Sequence, residues 1–135
     1  MKEISTKKFP RIVSETIKES KILVYSFNNL DKKIKGFSYQ KIIGINGSKD
    51  FYTKRFTICH ELGHNILNHQ FGDSKEEKEA DNFACNLLID DYELKEKVIA
   101  GWCLSDLEKL FGVPQREIQK RIYQIFDEKD LNFCF

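Results

Sequence analysis

The sequence lacks the features that mark several classes of protein. Its four cysteines, Cys59, Cys85, Cys103 and Cys134, are widely spaced, and no two of them form a C-x-x-C pair. This spacing argues against a disulfide framework and against a cysteine-rich zinc site, and it predicts reduced thiols. An excess of one charge is also missing, because 22 basic and 21 acidic residues leave a net charge of +1. We therefore expect no overall field that would attract nucleic acid or a membrane.

Long apolar segments are absent as well. The longest apolar stretch lies near residues 22–25, far short of the roughly 20 residues that a membrane-spanning helix needs. The N-terminal sequence MKEISTKKFPRI carries positive charge but no apolar region, so we expect no signal peptide. These absences predict a cytoplasmic protein. The length of 135 residues, without repeats or a low-complexity linker, predicts a single domain.

The N-terminal part of the chain has the patterning of one helix and three strands. Pro10 and the apolar spacing that follows it predict a helix over residues 10–20. Residues 22–27, rich in β-branched and aromatic side chains, predict a first strand. Residues 36–39 and 41–46 predict a second and a third strand, the last of which ends at an Asn-Gly turn. Beyond that turn we expect a connector over residues 48–55 that leads into the next helix, which would begin at about Phe56.

The most informative stretch is residues 60–64, with the sequence HELGH. His60 and His64 are four residues apart, so on a helix they lie on one face and can direct two ring nitrogens at one point. Glu61 projects about 100° away from His60. This arrangement predicts a zinc site with two nitrogen ligands and a neighbouring carboxylate, Glu61, that acts as a general base instead of binding the metal.

The remainder of this helix supports the interpretation. Lys and Arg are absent from residues 58–70, whereas two surface histidines on an ordinary amphipathic helix would predict a charged outer face. The apolar stripe lies nearly opposite the histidines and consists of Ile58, Cys59, Leu62 and Ile66. We therefore expect the helix to be covered on both sides, and covered histidines need a polar or metallic partner.

A catalytic zinc site usually takes a third protein ligand, and the third histidine does not suit that role. A helix continued to His69 would direct this side chain toward the apolar stripe and away from the metal. We interpret His69 as a residue of the helix C-terminus or core edge, where a histidine also complements the helix dipole. A carboxylate is then the expected third ligand.

The next predicted helix supplies candidate carboxylates. Glu76 and Glu77 each flank its apolar stripe by roughly 50°, whereas Glu79 lies well outside the stripe. We favour Glu77, because Asp81 follows one turn later on the same side. Asp81 could then accept the outer N–H of a ligating histidine. Glu76 and Glu79 remain alternatives.

Helix capping is a competing role for Glu77. Ser74-x-x-Glu77 fits a capping box, in which the Glu77 carboxylate would bind the backbone and not a metal. Asp73-x-x-Glu76 fits the same template one residue earlier and would leave Glu77 free. The loop between the two helices is short, so the helices are expected to be neighbours, as a shared metal requires.

Together these motifs resemble the ImmA/IrrE family of zinc metallopeptidases. The resemblance rests on F-T-x-x-H-E-L-G-H-x-x-L-x-H at residues 56–69 and on E-x-E-A-D-x-F-A-x-x-L-L at residues 77–88. It extends to the predicted strands upstream and to residues 107–121 downstream. One departure is visible. In the family a proline often follows shortly after the paired leucines, whereas this sequence continues with Ile89-Asp90-Asp91.

The resemblance implies an α+β, zincin-like single domain over residues 1–135, with a small, mostly antiparallel three-stranded sheet packed against the HExxH helix. It divides into an N-terminal helix and sheet (1–55), a metal-binding helix pair (56–90) and C-terminal helices (91–135). The resemblance implies a zinc-dependent endopeptidase, in which His60, His64 and Glu77 bind zinc and Glu61 activates the zinc-bound water. The implied substrate is a helix-turn-helix repressor, often encoded beside the peptidase in a prophage or mobile element.

Two other functions remain open at this stage. The protein could be a zinc-containing antirepressor that sequesters a repressor without cleaving it, because binding and cleavage would use the same surface. Less favoured is DNA binding by a helix-turn-helix in the C-terminal part, where the positive charge of Arg116, Lys120 and Arg121 is diluted by Glu108 and Glu117. For a second oxyanion donor the sequence offers candidates that it does not rank: Tyr39, Tyr52, Tyr92 and Tyr123. The oligomeric state stays open.

Overall fold

The computed structural model describes residues 2–3 and 9–126 of the chain. Within them the chain forms six helices and a four-stranded sheet, which confirms the predicted α+β class. The packing divides the chain into two compact units, Met1–Leu87 and Leu88–Phe135. The expectation of a single domain over residues 1–135 stays a prediction. None of the helices in the described part has both the length and the apolar character that crossing a membrane requires.

The first unit contains the sheet and the predicted metal-binding helices. The predicted first helix and the three predicted strands are all present, with ends that differ by one residue at most. The elements in chain order are β1 (Lys2–Glu3), α1 (Arg11–Glu19), β2 (Leu23–Phe27), β3 (Gly36–Tyr39), β4 (Ile42–Asn46), α2 (Phe51–Ile66) and α3 (Ser74–Leu88), whose last residue reaches the second unit.

The sheet is mixed and has four strands in the order β1-β2-β4-β3. The expected number of three strands is therefore wrong, whereas two of the three strand pairings are antiparallel, as expected. β3 and β4 form an antiparallel hairpin around Gln40, whose φ is +52°, and β4 then lies beside β2 and runs parallel to it from Leu23↔Ile42 to Phe27↔Asn46. The additional strand, β1, is only two residues long and pairs antiparallel with β2, so it is too short to produce a visible alternation.

The side chain of Asn46 joins the loops on both sides of the β3–β4 hairpin by hydrogen bonds. Its side chain is fully buried, and its amide Nδ2 donates to the carbonyl oxygens of Asp31 and Ile34 at 3.2 and 2.9 Å. Its Oδ1 accepts from both the backbone N–H and the hydroxyl of Ser48. A buried amide whose donors and acceptor are used in this way ties the loop before β3 to the turn after β4. The turn predicted at Asn46-Gly47 is confirmed.

Helix α2 begins at Phe51, several residues before the start that the sequence predicted. The side chain of Asp50 caps it by accepting the Thr53 backbone N–H at 2.9 Å and the Thr53 hydroxyl at 2.7 Å. The expected connector over residues 48–55 therefore ends at Asp50. α2 packs against β3 and β4, and the residues from Phe56 to Cys59 and from Glu61 to Gly63 are buried, in agreement with a helix covered on both sides.

Helix α3 lies close to α2 at Gly63. A Cβ atom placed on Gly63 would lie 3.0 Å from the Cβ of Phe83 and 3.2 Å from the Cα of Ala80. Both Ala80 and Ala84 are fully buried. Small residues on both helices thus allow the two backbones to come together, and this approach brings the carboxylates of α3 to the histidines of α2.

The second unit is helical and contains α4 (Asp91–Ile99), α5 (Leu104–Phe111) and α6 (Gln115–Ile125). Asp90 caps α4 by accepting the backbone N–H groups of Tyr92 and Glu93. α5 ends at Gly112 with a φ of +65°, the left-handed conformation that glycine adopts without steric cost. The largest fully buried side chains of this unit are Leu94, Leu107, Ile118 and Ile122.

Replacement of Gly63 by Ala should destabilise the protein by about 1–3 kcal/mol, because the new methyl group would crowd Phe83 and the backbone of Ala80 on α3. Glycine to alanine in a helix interior ordinarily stabilises by about 0.5–1 kcal/mol, so the expected sign is reversed. The free energy of unfolding in urea measures the effect. Asn82→Ala, at an exposed position of α3, serves as the control and should change stability by about 0.5 kcal/mol or less. A Gly63→Ala protein more stable than the wild type would contradict the close approach.

Candidate metal centre

Two histidines of α2 face the same point. His60 and His64 lie one helical turn apart, with ring centroids 4.7 Å apart and Nε2 atoms 3.1 Å apart. Both side chains are largely covered, with 15% and 12% of their surface exposed. The α-helical spacing of the HELGH segment alone places the rings together, and the covering of the helix by its neighbours removes them from bulk water.

Glu77 of α3 completes a group of three donors. Its Oε2 lies 3.0 Å from His60 Nε2, and its Oε1 lies 3.0 Å from His64 Nε2. Among the described residues, His60, His64 and Glu77 form a group that could hold a metal ion. One donor atom from each residue lies within 4.8 Å of the other two. A tetrahedral ion with bonds of about 2.0–2.1 Å needs donor atoms about 3.3 Å apart, so the contacts of the two Glu77 oxygens with the histidines are close to what a filled site requires. Two imidazoles and a carboxylate are also a known donor set of catalytic zinc sites.

The capping of α3 leaves Glu77 free for this group. The Asp73 side chain accepts the backbone N–H of Glu76 at 2.9 Å. The Glu76 carboxylate in turn accepts the backbone N–H groups of Gln70, Phe71 and Gly72. The structure therefore contains the cap at Asp73 and Glu76, the earlier of the two alternatives that the sequence allowed. The role of Glu77 as a metal ligand stays a prediction.

Asp81 lies behind His60. Its Oδ1 is 2.7 Å from His60 Nδ1, on the side of the ring that faces away from Glu77. A carboxylate at this place favours a proton on Nδ1 and leaves the Nε2 lone pair directed at the donor group. This contact has the geometry that the sequence analysis expected of Asp81, and its part in metal binding stays a prediction.

His69 is not where the sequence analysis expected it. Helix α2 ends at Ile66, and the backbone reverses at Asn68, whose φ is +59°. His69 Nδ1 consequently lies 2.8 Å from His64 Nδ1, and His69 Nε2 lies 2.8 Å from the Oε2 of Glu79. The expectation that His69 points away from the metal residues was wrong, because it assumed that the helix continues. The one sequence signal was Asn68, since asparagine tolerates the left-handed conformation.

Glu61 is the buried carboxyl group of the site. Glu61 is 9% exposed, and this burial raises the pKa of its carboxyl group to about 7. The charge of His60 acts to lower that pKa, and the charge of Glu77 acts to raise it. Strand β3 packs closely on this side: a Cβ on Gly36 would lie 2.6 Å from Thr57 Cγ2 and 3.5 Å from Glu61 Cγ. A carboxyl group with a pKa near neutrality, beside a group of donors that could hold a metal, has the properties of a general acid and base.

The pKa values of the two predicted ligand histidines are shifted in opposite directions. Burial alone would lower the pKa of His60, but the hydrogen bond and charge of Asp81, with Glu61 and Glu77, outweigh it and raise the pKa. Burial and the neighbouring His60 lower the pKa of His64. Metal binding needs both rings neutral, so protons compete with a metal chiefly at His60.

The donor group opens onto a cleft of about 530 Å³. Its lining includes Ser38 and Gln40 from β3 and the turn after it, together with Glu61, His64 and Glu77. No tyrosine is found among the described residues that line this cleft. Of the four candidate oxyanion donors, Tyr39 and Tyr52 lie in the first unit but outside this lining, and Tyr92 and Tyr123 belong to the second unit.

Comparison with known proteins agrees with the motifs. A family model described as IrrE N-terminal-like domain (Peptidase_M78) matches residues 17–123, most of the chain. The matched part contains every residue of the donor group and the residues behind it. No curated protein matches the chain.

Replacement of Glu61 by Gln should stabilise the metal-free protein much more at high pH than at low pH. The pKa of the Glu61 carboxyl is about 7 in the folded protein, against an ordinary value of 4.5. As the pH rises above 4.5, ionisation of this group therefore increasingly lowers the free energy of unfolding, and the whole loss is present once the pH exceeds about 7. We expect a gain of about 3 kcal/mol at about pH 8 and of about 1 kcal/mol or less at about pH 5. The free energy of unfolding, measured with urea in the presence of a chelator at both pH values, gives this difference. Glu96→Gln, at an exposed position of α4, is the control, and an equal gain at both pH values would contradict the raised pKa.

Proposed function

The chain belongs to the IrrE N-terminal-like domain family of metallopeptidases, and from that premise we propose that it is a zinc-dependent endopeptidase. The observation that carries the proposal is the convergence of two imidazole nitrogens and a carboxylate beside a buried carboxyl group, at the wall of an open cleft. His60, His64 and Glu77 would hold the metal. When bound, zinc supplies a Lewis acid that polarises a carbonyl group and lowers the pKa of water.

Glu61 is the residue that we assign to proton transfer. In the proposed reaction its carboxylate accepts a proton from the attacking water and then donates it to the amine of the departing peptide. The buried position favours this role, because a low-dielectric environment keeps the pKa of the carboxyl group close to neutral and eases transfer in both directions. A nearby cation would lower that pKa and favour the form that accepts the proton.

We further propose that the substrate binds as an additional strand. β3 is an edge of the sheet and pairs with β4 on one side, while Ser38 and Gln40 line the cleft beside Glu61. An extended peptide along this edge could form main-chain hydrogen bonds, which is a common mode of peptide recognition. The edge strand and the donor group belong to the same unit of the chain.

The proposed substrate is a helix-turn-helix repressor of the type found in prophages and mobile elements, as the family resemblance suggests. The alternative is sequestration of that repressor without cleavage. DNA binding by the C-terminal helices is less favoured: Arg121 makes a two-pronged ion pair with Asp91, with both distances 2.9 Å, and Lys120 pairs with Glu117 at 3.4 Å. Basic side chains committed in this way offer less positive charge to phosphates.

Removal of Glu77 should remove the metal. We expect natively purified protein to contain about one zinc ion per chain, and the Glu77→Ala protein to lose most of it on dialysis. Elemental analysis measures the content. Because the Glu77 side chain is 51% exposed, the variant should fold normally, and Glu96→Ala controls for the loss of an exposed carboxylate. A wild-type protein that contains no zinc even after zinc is added would contradict the proposal.

Replacement of Glu61 by Gln should separate cleavage from binding. The variant should retain zinc and repressor binding while hydrolysis falls by at least about 10²–10⁴-fold, because the general base is lost. Mass spectrometry of a repressor encoded beside the gene measures cleavage, and titration measures binding. If the protein acts as a peptidase, the Glu61→Gln protein should no longer inactivate the repressor in cells. Retained inactivation would favour sequestration.

A further inference from the structure

We propose that His69 and Glu79 form a positioning pair that holds His64 in the form and orientation in which it binds the metal. The inference rests on the proposed function, in which His64 is a zinc ligand. Two contacts of 2.8 Å link the three side chains, one between the Nδ1 atoms of His64 and His69 and one between His69 Nε2 and Glu79 Oε2. The series runs from the donor group to a carboxylate on α3.

The chemistry of these atoms determines where the protons lie. A carboxylate only accepts hydrogen bonds, so the Nε2 of His69 must carry the proton that is shared with Glu79. A neutral His69 then has a bare Nδ1, and this nitrogen accepts the Nδ1–H of His64. A His64 that donates from Nδ1 directs a bare Nε2 at the donor group, where a metal would take the place of the proton that Glu77 Oε1 at 3.0 Å and His60 Nε2 at 3.1 Å otherwise favour. Glu79 thus favours the metal-binding tautomer of His64 through an intervening imidazole.

The surroundings of His69 are built to keep its ring in place. Its side chain is only 6% exposed, and its backbone N–H donates to the carbonyl oxygen of His64 at 3.0 Å. The residues that follow it are held by the Glu76 carboxylate, which accepts three successive backbone N–H groups. A ring in a buried and anchored turn has few other orientations, so the hydrogen bond to His64 is preorganised.

The two histidines of the donor group are therefore held by different means. His60 has a carboxylate, Asp81, directly behind it, whereas the carboxylate behind His64 is one imidazole further away. Residues that orient metal ligands in this way typically contribute about 10–100-fold to metal affinity. A purely space-filling role for His69 would require only its volume, and this difference makes the proposal testable.

The test compares His69→Phe with His69→Gln in the full chain. Phenylalanine fills the space but accepts no hydrogen bond, whereas the glutamine amide can accept from His64 and donate to Glu79 as the imidazole does. We expect His69→Phe to weaken zinc binding by about 10–100-fold and His69→Gln to restore most of the affinity. Competition against a chromophoric chelator measures affinity, thermal unfolding measures stability, and Phe71→Leu, at an 83% exposed position in the same loop, is the control. Zinc binding by His69→Phe as tight as that of the wild type would overturn the proposal.

Two further measurements keep the inference independent of folding defects and of the proposed function. Glu79→Leu changes a side chain that is 42% exposed, so it should fold normally and still weaken zinc binding. Side-chain nitrogen NMR of the metal-free protein at about pH 8 should show a larger share of the Nδ1–H tautomer of His64 in the wild type than in Glu79→Leu. Equal tautomer populations in the two proteins would overturn the inference. If the wild type binds no zinc, the proposed function fails, and the NMR result alone then decides whether the pair selects the tautomer.

Discussion

The contact of α3 with α2 at Gly63 is the constraint on which the site depends. Because residue 63 has no side chain, Ala80 and Phe83 pack against the backbone of the helix that carries both histidines of the donor group. The separation of the two helices determines whether the carboxylates of α3 lie about 3 Å from the imidazoles of α2 or are separated from them by water. The glycine within the HELGH segment is therefore as important to the donor group as the charged residues beside it.

The start of α3 sets the angular position of its carboxylates. With Asp73 as the cap, Glu76 turns back to the loop and Glu77 turns toward the histidines. A helix that began one residue later would use Glu77 in its own cap. A local hydrogen bond at a helix terminus thus selects which of two adjacent glutamates belongs to the donor group, and the same loop anchors the turn behind His64.

Each of the three histidines has a carboxylate within hydrogen-bonding distance, and this pairing makes a crowded polar site tolerable inside the protein. Glu61 differs from the other carboxylates, because burial dominates its environment and raises its pKa to about 7. Carboxyl groups that lie close together but in different environments commonly have different tasks. Here the paired groups orient or complete the donor set, and the buried one is suited to carry a proton.

The sequence by itself determined most elements of the first unit and the spacing of the principal residues. Periodicity located the first helix and the strands β2 to β4, and the four-residue step from His60 to His64 required only helical geometry. The tertiary structure decided the rest. Helical phase angles alone did not distinguish Glu76 from Glu77. The position of Asp81 favoured Glu77, and the structure shows that Glu76 binds the loop before α3. The placement of β4 beside β2 depended on how the hairpin packs. His69 joined the site only because the helix ends at Ile66 and the chain reverses at Asn68, a choice made by packing and backbone hydrogen bonds that residue spacing does not encode.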